Sequence, residues 1–235
     1  SVVCSTLFCS AKFFLIVAQQ LARDPSSASA QSLGSRFDNV VVARTAIISI
    51  ALSHATMVAV MAMTPVHLVN HGASLAIVGF TISLHIAGMY ALAPVFGILS
   101  DRIGRIPTIL VGQVILLASL MFTGFGSENE TAVVIGLVLL GLGWSAATVA
   151  GSTLLSESTI IEKRAARQGV SDLVMSGSGA AGGALAGVVL AFLGYSGLSF
   201  VALALVAGVV VRVVLTRQSS VESTVGVTEP ITYDI

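Results

Sequence analysis

Residues 75–124 read LAIVGFTISLHIAGMYALAPVFGILSDRIGRIPTILVGQVILLASLMFTG, two long apolar runs divided by the short charged turn SDRIGR. About 20 helical residues, each rising about 1.5 Å, are enough to cross the hydrocarbon of a bilayer. The runs at 75–99 and 107–124 meet that length. Their only charges, Asp101, Arg102 and Arg105, gather in the turn. Such a stretch enters a membrane, turns in a few residues and crosses back.

The rest of the chain repeats the pattern. Further apolar stretches lie at 45–64, 132–155, 169–193 and 197–215, giving six spans in all within 40–215. Residues 1–18 form a shorter run, interrupted by Lys12 and read as a truncated helix; Cys4 and Cys9 in it are taken as apolar residues rather than a disulfide. Residues 19–39 contain DPSSASAQSLGS and read as a polar linker, and 216–235 as a disordered polar tail.

Composition agrees with a lipid-facing protein. The 235 residues are 55% hydrophobic and 9% charged, with mean hydropathy +0.99, whereas soluble domains carry about 25% charged residues. Formal net charge is zero, which gives no electrostatic case for a nucleic-acid partner. With 6% aromatics and 23 glycines, closely packed helices fit better than a barrel with aromatic girdles. The fold class expected is all-α.

Basic residues fix the orientation. The linker, the turn at 101–106, the loop at 156–168 and the tail carry Arg23, Arg36, Arg102, Arg105, Lys163, Arg164, Arg167 and Arg217, with Arg44 and Arg212 at the adjoining helix ends. The alternate loops at 65–74, 125–131 and 194–196 carry no Lys or Arg. The positive-inside rule places the linker and C-terminus in the cytoplasm of a multi-pass plasma-membrane protein.

The turn also carries a motif. In GILSDRIGRIPTIL, residues 97–110, the positions Gly97, Leu99, Ser100, Asp101, Arg102, Gly104, Arg105 and Leu110 resemble the cytoplasmic-loop signature of the major facilitator superfamily. Ile106 and Pro107 stand where basic residues are usual. Physically, Gly97 is expected to admit a neighbouring helix. Asp101 can accept N–H bonds at a helix start, Gly104 permits the turn, and Pro107 suits a first helical turn. Arg102 and Arg105 can pair with carboxylates such as Glu157 or Glu162. The resemblance implies a twelve-helix transporter in two six-helix halves, with this loop acting as a latch in the transport cycle.

Neither the Arg usual in the fourth helix of the first half nor the Gly-Pro pair of its fifth occurs in the corresponding spans here. The run MTPVHLVNHGASLAIVGFTISLHIAGMYALAPVFG resembles the seventh and eighth helices of bacterial, notably actinobacterial, members. The chain therefore resembles helices six to twelve, and is expected to be a piece of a longer protein whose N-terminal half is its missing partner.

Buried ionisable groups in a membrane are costly and point to function. His54 and His85 lie within spans. Thr81, His85 and Gly88 share a face, with Ser74 above, and could line a path for substrate or protons; Ser49, Ser53, Thr56 and Thr64 form a comparable stripe. A neutral His bridging two helices is the structural alternative. Trp144, Thr148, Ser152 and Gly141 share a face of a helix that, by resemblance, borders the central cavity. Asp172, about one turn inside its span, is a candidate proton carrier or simply a residue stabilised by the helix dipole. It shares a face with Met175, Ser176, Gly179, Gly183 and Gly187, whose spacing suits close helix packing. His67 and His71 are read as loop residues, and no metal site is expected.

No nucleophile–base pair, HExxH element or phosphate-cradling loop supports an enzyme, and no cofactor is expected. The expected function is secondary transport of a small solute with proton coupling. The alternative is a non-transporting membrane regulator or scaffold that keeps the fold.

Overall fold

The computed structural model describes residues 38–225; the truncated first span, Cys4, Cys9 and most of the linker lie outside the described residues. Among the described residues the secondary structure is helical: α1 Val40–Asn70, α2 Leu75–Tyr90, α3 Ala93–Ile103, α4 Arg105–Phe125, α5 Glu130–Glu157 and α6 Ile161–Val225. Five lengths, Val40–Asn70, Leu75–Ile103, Arg105–Phe125, Glu130–Glu157 and Ile161–Leu215, are long and apolar enough to cross a membrane. The last is folded on itself at Gly194 (φ 68°, ψ −177°) and supplies two spans. The described residues form an all-α membrane bundle of six spans.

Local chemistry sets the ends. Asn39 caps α1 by accepting from the Val42 N–H at 3.2 Å, and Asn129 caps α5 through the Ala132 N–H at 3.3 Å. Ser74, expected above a polar stripe, instead caps α2 through the Ile77 N–H. Gly104, at φ 97°, makes the one-residue joint between α3 and α4, a conformation that L side chains rarely adopt.

Several boundaries differ from the expected ones. The span read as 75–99 is two helices, parted at Ala91–Leu92. Pro94 stands just inside α3 and has no N–H to give to the Tyr90 carbonyl four residues back. Helix α1 runs through Pro65 to Asn70, so His67 is helical rather than in a loop. The loop read as 156–168 shrinks, because IEKRAAR already belongs to α6. That helix also continues past 215 to Val225; residues 226–235 lie outside the described residues.

Helix α5 is the bundle's axis, packing on α1, α2, α3 and α4, while α1 and α4 lie against α6. One apolar core joins Val60, Leu116, Leu137, Leu140, Tyr195 and Val206; a second joins Ala46, Ile109, Ala150, Val209 and Val213 nearer the other end. Small residues bring the axes together. A Cβ on Gly112 would lie 2.8 Å from the Gly143 carbonyl, and one on Gly143 2.9 Å from the Gly112 carbonyl. Several polar side chains inside the bundle are bonded within it. The Gln113 amide donates to Ser53 Oγ at 2.9 Å, the Ser119 hydroxyl to the Gly136 carbonyl at 2.7 Å, and Thr64 shares a 2.8 Å bond with the Tyr195 hydroxyl. The Ser49, Ser53, Thr56 and Thr64 stripe is thus buried core, not a water path.

Candidate transport site and its end contacts

The two ends of the bundle differ in charge, as the loop arginines require. At one end Arg105, starting α4, reaches Glu157, ending α5: Nη2 donates to Oε1 at 2.7 Å and Nε to Oε2 at 3.1 Å. Its Nη1 donates to Asp101 Oδ1 and, more distantly, to Ser100 Oγ. One guanidinium therefore clamps its own turn and the far end of another helix in a fork geometry that a lysine does not reproduce. Arg102 is exposed, and Asp101 bonds to Arg105 rather than to a helix start. Gly97 has nothing within 4 Å of where a Cβ would stand, so among the described residues no helix approaches it.

Beside this clamp the start of α1 is tied to the start of α6. Arg167 meets Asp38 at 2.6 Å through both Nη atoms, Lys163 lies 3.5 Å from Asp38, and the Asn39 N–H donates to the Ser158 carbonyl at 3.0 Å. Arg105, Lys163 and Arg167 thus share one end of the fold. At the opposite end His67 stacks on Tyr195 with centroids 4.2 Å apart and donates from Nε2 to the Ser127 carbonyl at 2.7 Å. His71 faces Glu128 at 3.5 Å. Together with Gly194 and Ser196 these residues line a cleft of about 350 Å³.

Because Asp101 and Glu157 are well exposed, at 70% and 50%, the clamp contributes little to stability, about 1 kcal/mol or less. The latch that the resemblance implies for this loop would act on the balance between conformers, where about 1 kcal/mol is roughly a fivefold change. We expect Arg105→Lys to keep the melting temperature within about 2 °C and to lower transport about fivefold. Wild-type rates in Arg105→Lys would remove the latch role.

Between the two ends, four residues meet at mid-height. His54 lies near the middle of α1 and Trp144 near the middle of α5, with ring centroids 5.8 Å apart. Tyr90, at the break between α2 and α3, sets its ring edge-on to Trp144 at 6.3 Å. Gly179 of α6 gives the room: a Cβ there would lie 2.6 Å from His54 Cδ2 and 2.8 Å from its Nε2. His54 Nδ1, Trp144 Nε1 and Thr148 Oγ1 are buried without a hydrogen-bond partner, an uncommon and costly condition for polar atoms. Thr148 stands one helical turn from Trp144, on the same side of α5. Among these mid-height groups none is charged by a fixed Asp, Glu, Lys or Arg.

The other expected residues fall elsewhere. His85 is fully buried and donates from Nδ1 to the Leu137 carbonyl at 2.7 Å. Thr81 returns its hydroxyl to the Ile77 carbonyl. Gly88 and Gly141 press α2 on α5, since a Cβ at Gly141 would stand 2.5 Å from the His85 carbonyl. The Thr81–His85–Gly88 face is a helix contact. Asp172 is exposed and lies three turns into α6, which starts at Ile161, so the helix-dipole account fails. The tight side of α6 is Ser178, Gly179 and Gly182, with the Ser178 hydroxyl on the Ala51 carbonyl and a Gly182 Cβ 2.7 Å from the Ala55 carbonyl. Gly183 is in looser contact with Val58, and Gly187 has nothing within 4 Å. Tyr90 and Gln113 escaped the sequence reading; Pro94, which interrupts the span beside Tyr90, was the available signal.

Residues 46–231, well over half of the chain, match the family model described as Major Facilitator Superfamily. Two relatives in Bacillus subtilis, the uncharacterized MFS-type transporters YdeG and YddS, are 43% and 41% identical over 136 residues, 57% of this chain. The riboflavin transporter RfnT of Brucella anthropi is 25% identical over 207 residues, 86% of this chain. The chain spans 32%, 31% and 51% of the lengths of these three proteins.

Proposed function

Because this chain belongs to the major facilitator superfamily, we propose that it forms the C-terminal six-span half of a secondary active transporter, moving a small solute by alternating access in the cytoplasmic membrane. Its arginine-bearing end faces the cytoplasm by the positive-inside rule. The N-terminal half is its structural partner. The observation that carries this reading is the mid-height meeting of His54, Tyr90 and Trp144 beside an interrupted helix. Discontinuous helices near the bilayer midplane are where transporters of this kind build their sites. The transporter names borne by all three relatives, one of them for riboflavin, support a small-solute cargo.

Of His54, which is half-buried, and His85, which is buried, His54 is our choice for the group that couples protons to substrate. Each keeps one unpartnered ring nitrogen, but His54 sits in the ring cluster, whereas His85 is tied by Nδ1 to the Leu137 carbonyl in the α2–α5 contact. The test is uptake by the full-length protein in proteoliposomes under an imposed pH gradient. His54→Asn is expected to abolish the dependence on the gradient, and His85→Asn to keep it while lowering thermal stability. Gradient-driven uptake that is unchanged in His54→Asn would exclude this histidine from coupling; no uptake of any solute by the wild type, with the protein correctly inserted, would count against transport itself.

A further inference from the structure

We infer that the mid-height cluster receives an uncharged, planar heteroaromatic molecule, packed against its rings and hydrogen-bonded at its edge by Trp144, His54 and Thr148. This rests on the transporter reading for the site's location and adds the chemical class of the cargo.

Three features of the cluster converge on that class. The first is its surface: an indole, an imidazole and a phenol ring meet with centroids 5.8 Å and 6.3 Å apart. Flat π faces of this kind favour offset or edge-on contact with another flat ring. The second is its unspent hydrogen-bonding capacity. Trp144 is only 9% exposed, yet its Nε1–H has no acceptor, and His54 Nδ1 and Thr148 Oγ1 are likewise unpartnered. Indole N–H can only donate, a hydroxyl does either, and an imidazole nitrogen takes the role its tautomer allows. That set matches a ring edge alternating carbonyl or ring-nitrogen acceptors with N–H donors. A hydrocarbon ring would leave all three atoms unpaired at low dielectric.

The third feature is charge. Among the described residues no fixed ionic group belongs to the cluster, so this half of the site offers a fully charged cargo no counter-ion. The nearest carboxylate along α6 is Asp172, seven residues or about 10 Å of helix rise from Gly179. Gly179 deepens the specificity: it is the space left at position 179 that lets the imidazole lie where it does.

The test reads binding, not transport, and uses the full-length protein in detergent. Three uncharged heteroaromatics of increasing ring count (theophylline, 4-quinazolinone and lumichrome) are compared with tetraphenylphosphonium and glucose by equilibrium dialysis. At least one of the three is expected to bind saturably, and to quench tryptophan emission in a way lost in Trp144→Phe. Trp144→Phe, which keeps a ring but loses the N–H, should weaken binding severalfold, and Trp144→Ala or His54→Ala about tenfold or more. The proposal is overturned if none of the three binds, if tetraphenylphosphonium or glucose binds in their place, or if the variants, folded as judged by gel filtration, bind as the wild type does. Saturable heteroaromatic binding without uptake in proteoliposomes would leave this assignment standing and remove the transport reading instead.

Discussion

Gly141→Ala is expected to lower the unfolding free energy of the bundle in detergent by about 2 kcal/mol, although it adds a single methyl group to the protein. The added carbon would stand 2.5 Å from the His85 carbonyl oxygen and 3.1 Å from the Met89 nitrogen. Both are backbone atoms, which cannot rotate aside as a side-chain tip can, so α2 must draw back from α5. On the same contact, a Cβ at Gly88 would approach the Val138 carbonyl to 2.9 Å. Separation stretches the 2.7 Å bond from His85 to the Leu137 carbonyl, and a buried polar pair left unmade costs a further 1–3 kcal/mol or so. Gly187→Ala is the control: nothing lies within 4 Å of its Cβ, and exchanging an unobstructed helical glycine for alanine is worth up to about 1 kcal/mol in the stabilising direction. The measurement is the thermal midpoint of each variant in one detergent. Equal midpoints for the two would show that the helices at Gly141 do not meet as described.

The second large effect is all-or-none. After Cys4 and Cys9 are replaced by serine, a single cysteine at Arg102 or Lys163 should react with a membrane-impermeant thiol reagent only from the cytoplasmic side, and one at His71 or Glu128 only from the outside. The geometry behind this is double. Asp38, Lys163 and Arg167 are tied together beside the Arg105–Glu157 clamp, while His67, Ser127, Tyr195 and Ser196 meet at the far end. Moving an unpaired charge through hydrocarbon costs several kcal/mol or more, so no slow leak of label across the ends is expected. Labelling of positions 102 and 163 from opposite faces would break the topology and with it the assignment of spans.

The spans were legible because hydropathy and length are properties of the chain alone. The same holds for Gly104, whose spacing within SDRIGR demanded a turn and whose φ of 97° supplies it. Arg105 was readable as a pairing residue; that Glu157 and not Glu162 answers it depends on where α5 ends. The helix faces were harder. Gly179, Gly183 and Gly187 share a repeat, but packing uses Gly179 and Gly182, because the choice of face lies with α1 and its Ala55 carbonyl. His85 looked like a pathway residue since its partner is a backbone carbonyl, which no side-chain pattern reveals. Asp172 was misplaced for a different reason: IEKRAAR is charged enough to read as loop, yet it is the start of the helix. The mid-height cluster needed three dimensions, as its members come from α1, the α2–α3 break, α5 and α6.

The single-residue fold at Gly194 has a consequence for anyone probing the protein from the side on which that turn lies. Leu193 and Tyr195 are already helical on either side of it, and a protease needs several consecutive residues in extended form to seat a cleavable bond. Antibodies raised against linear peptides face the same shortage of free chain. The two spans it joins should therefore come through surface digestion as one uncut hairpin, and reporter tags for that face belong in the 126–129 connection, not here.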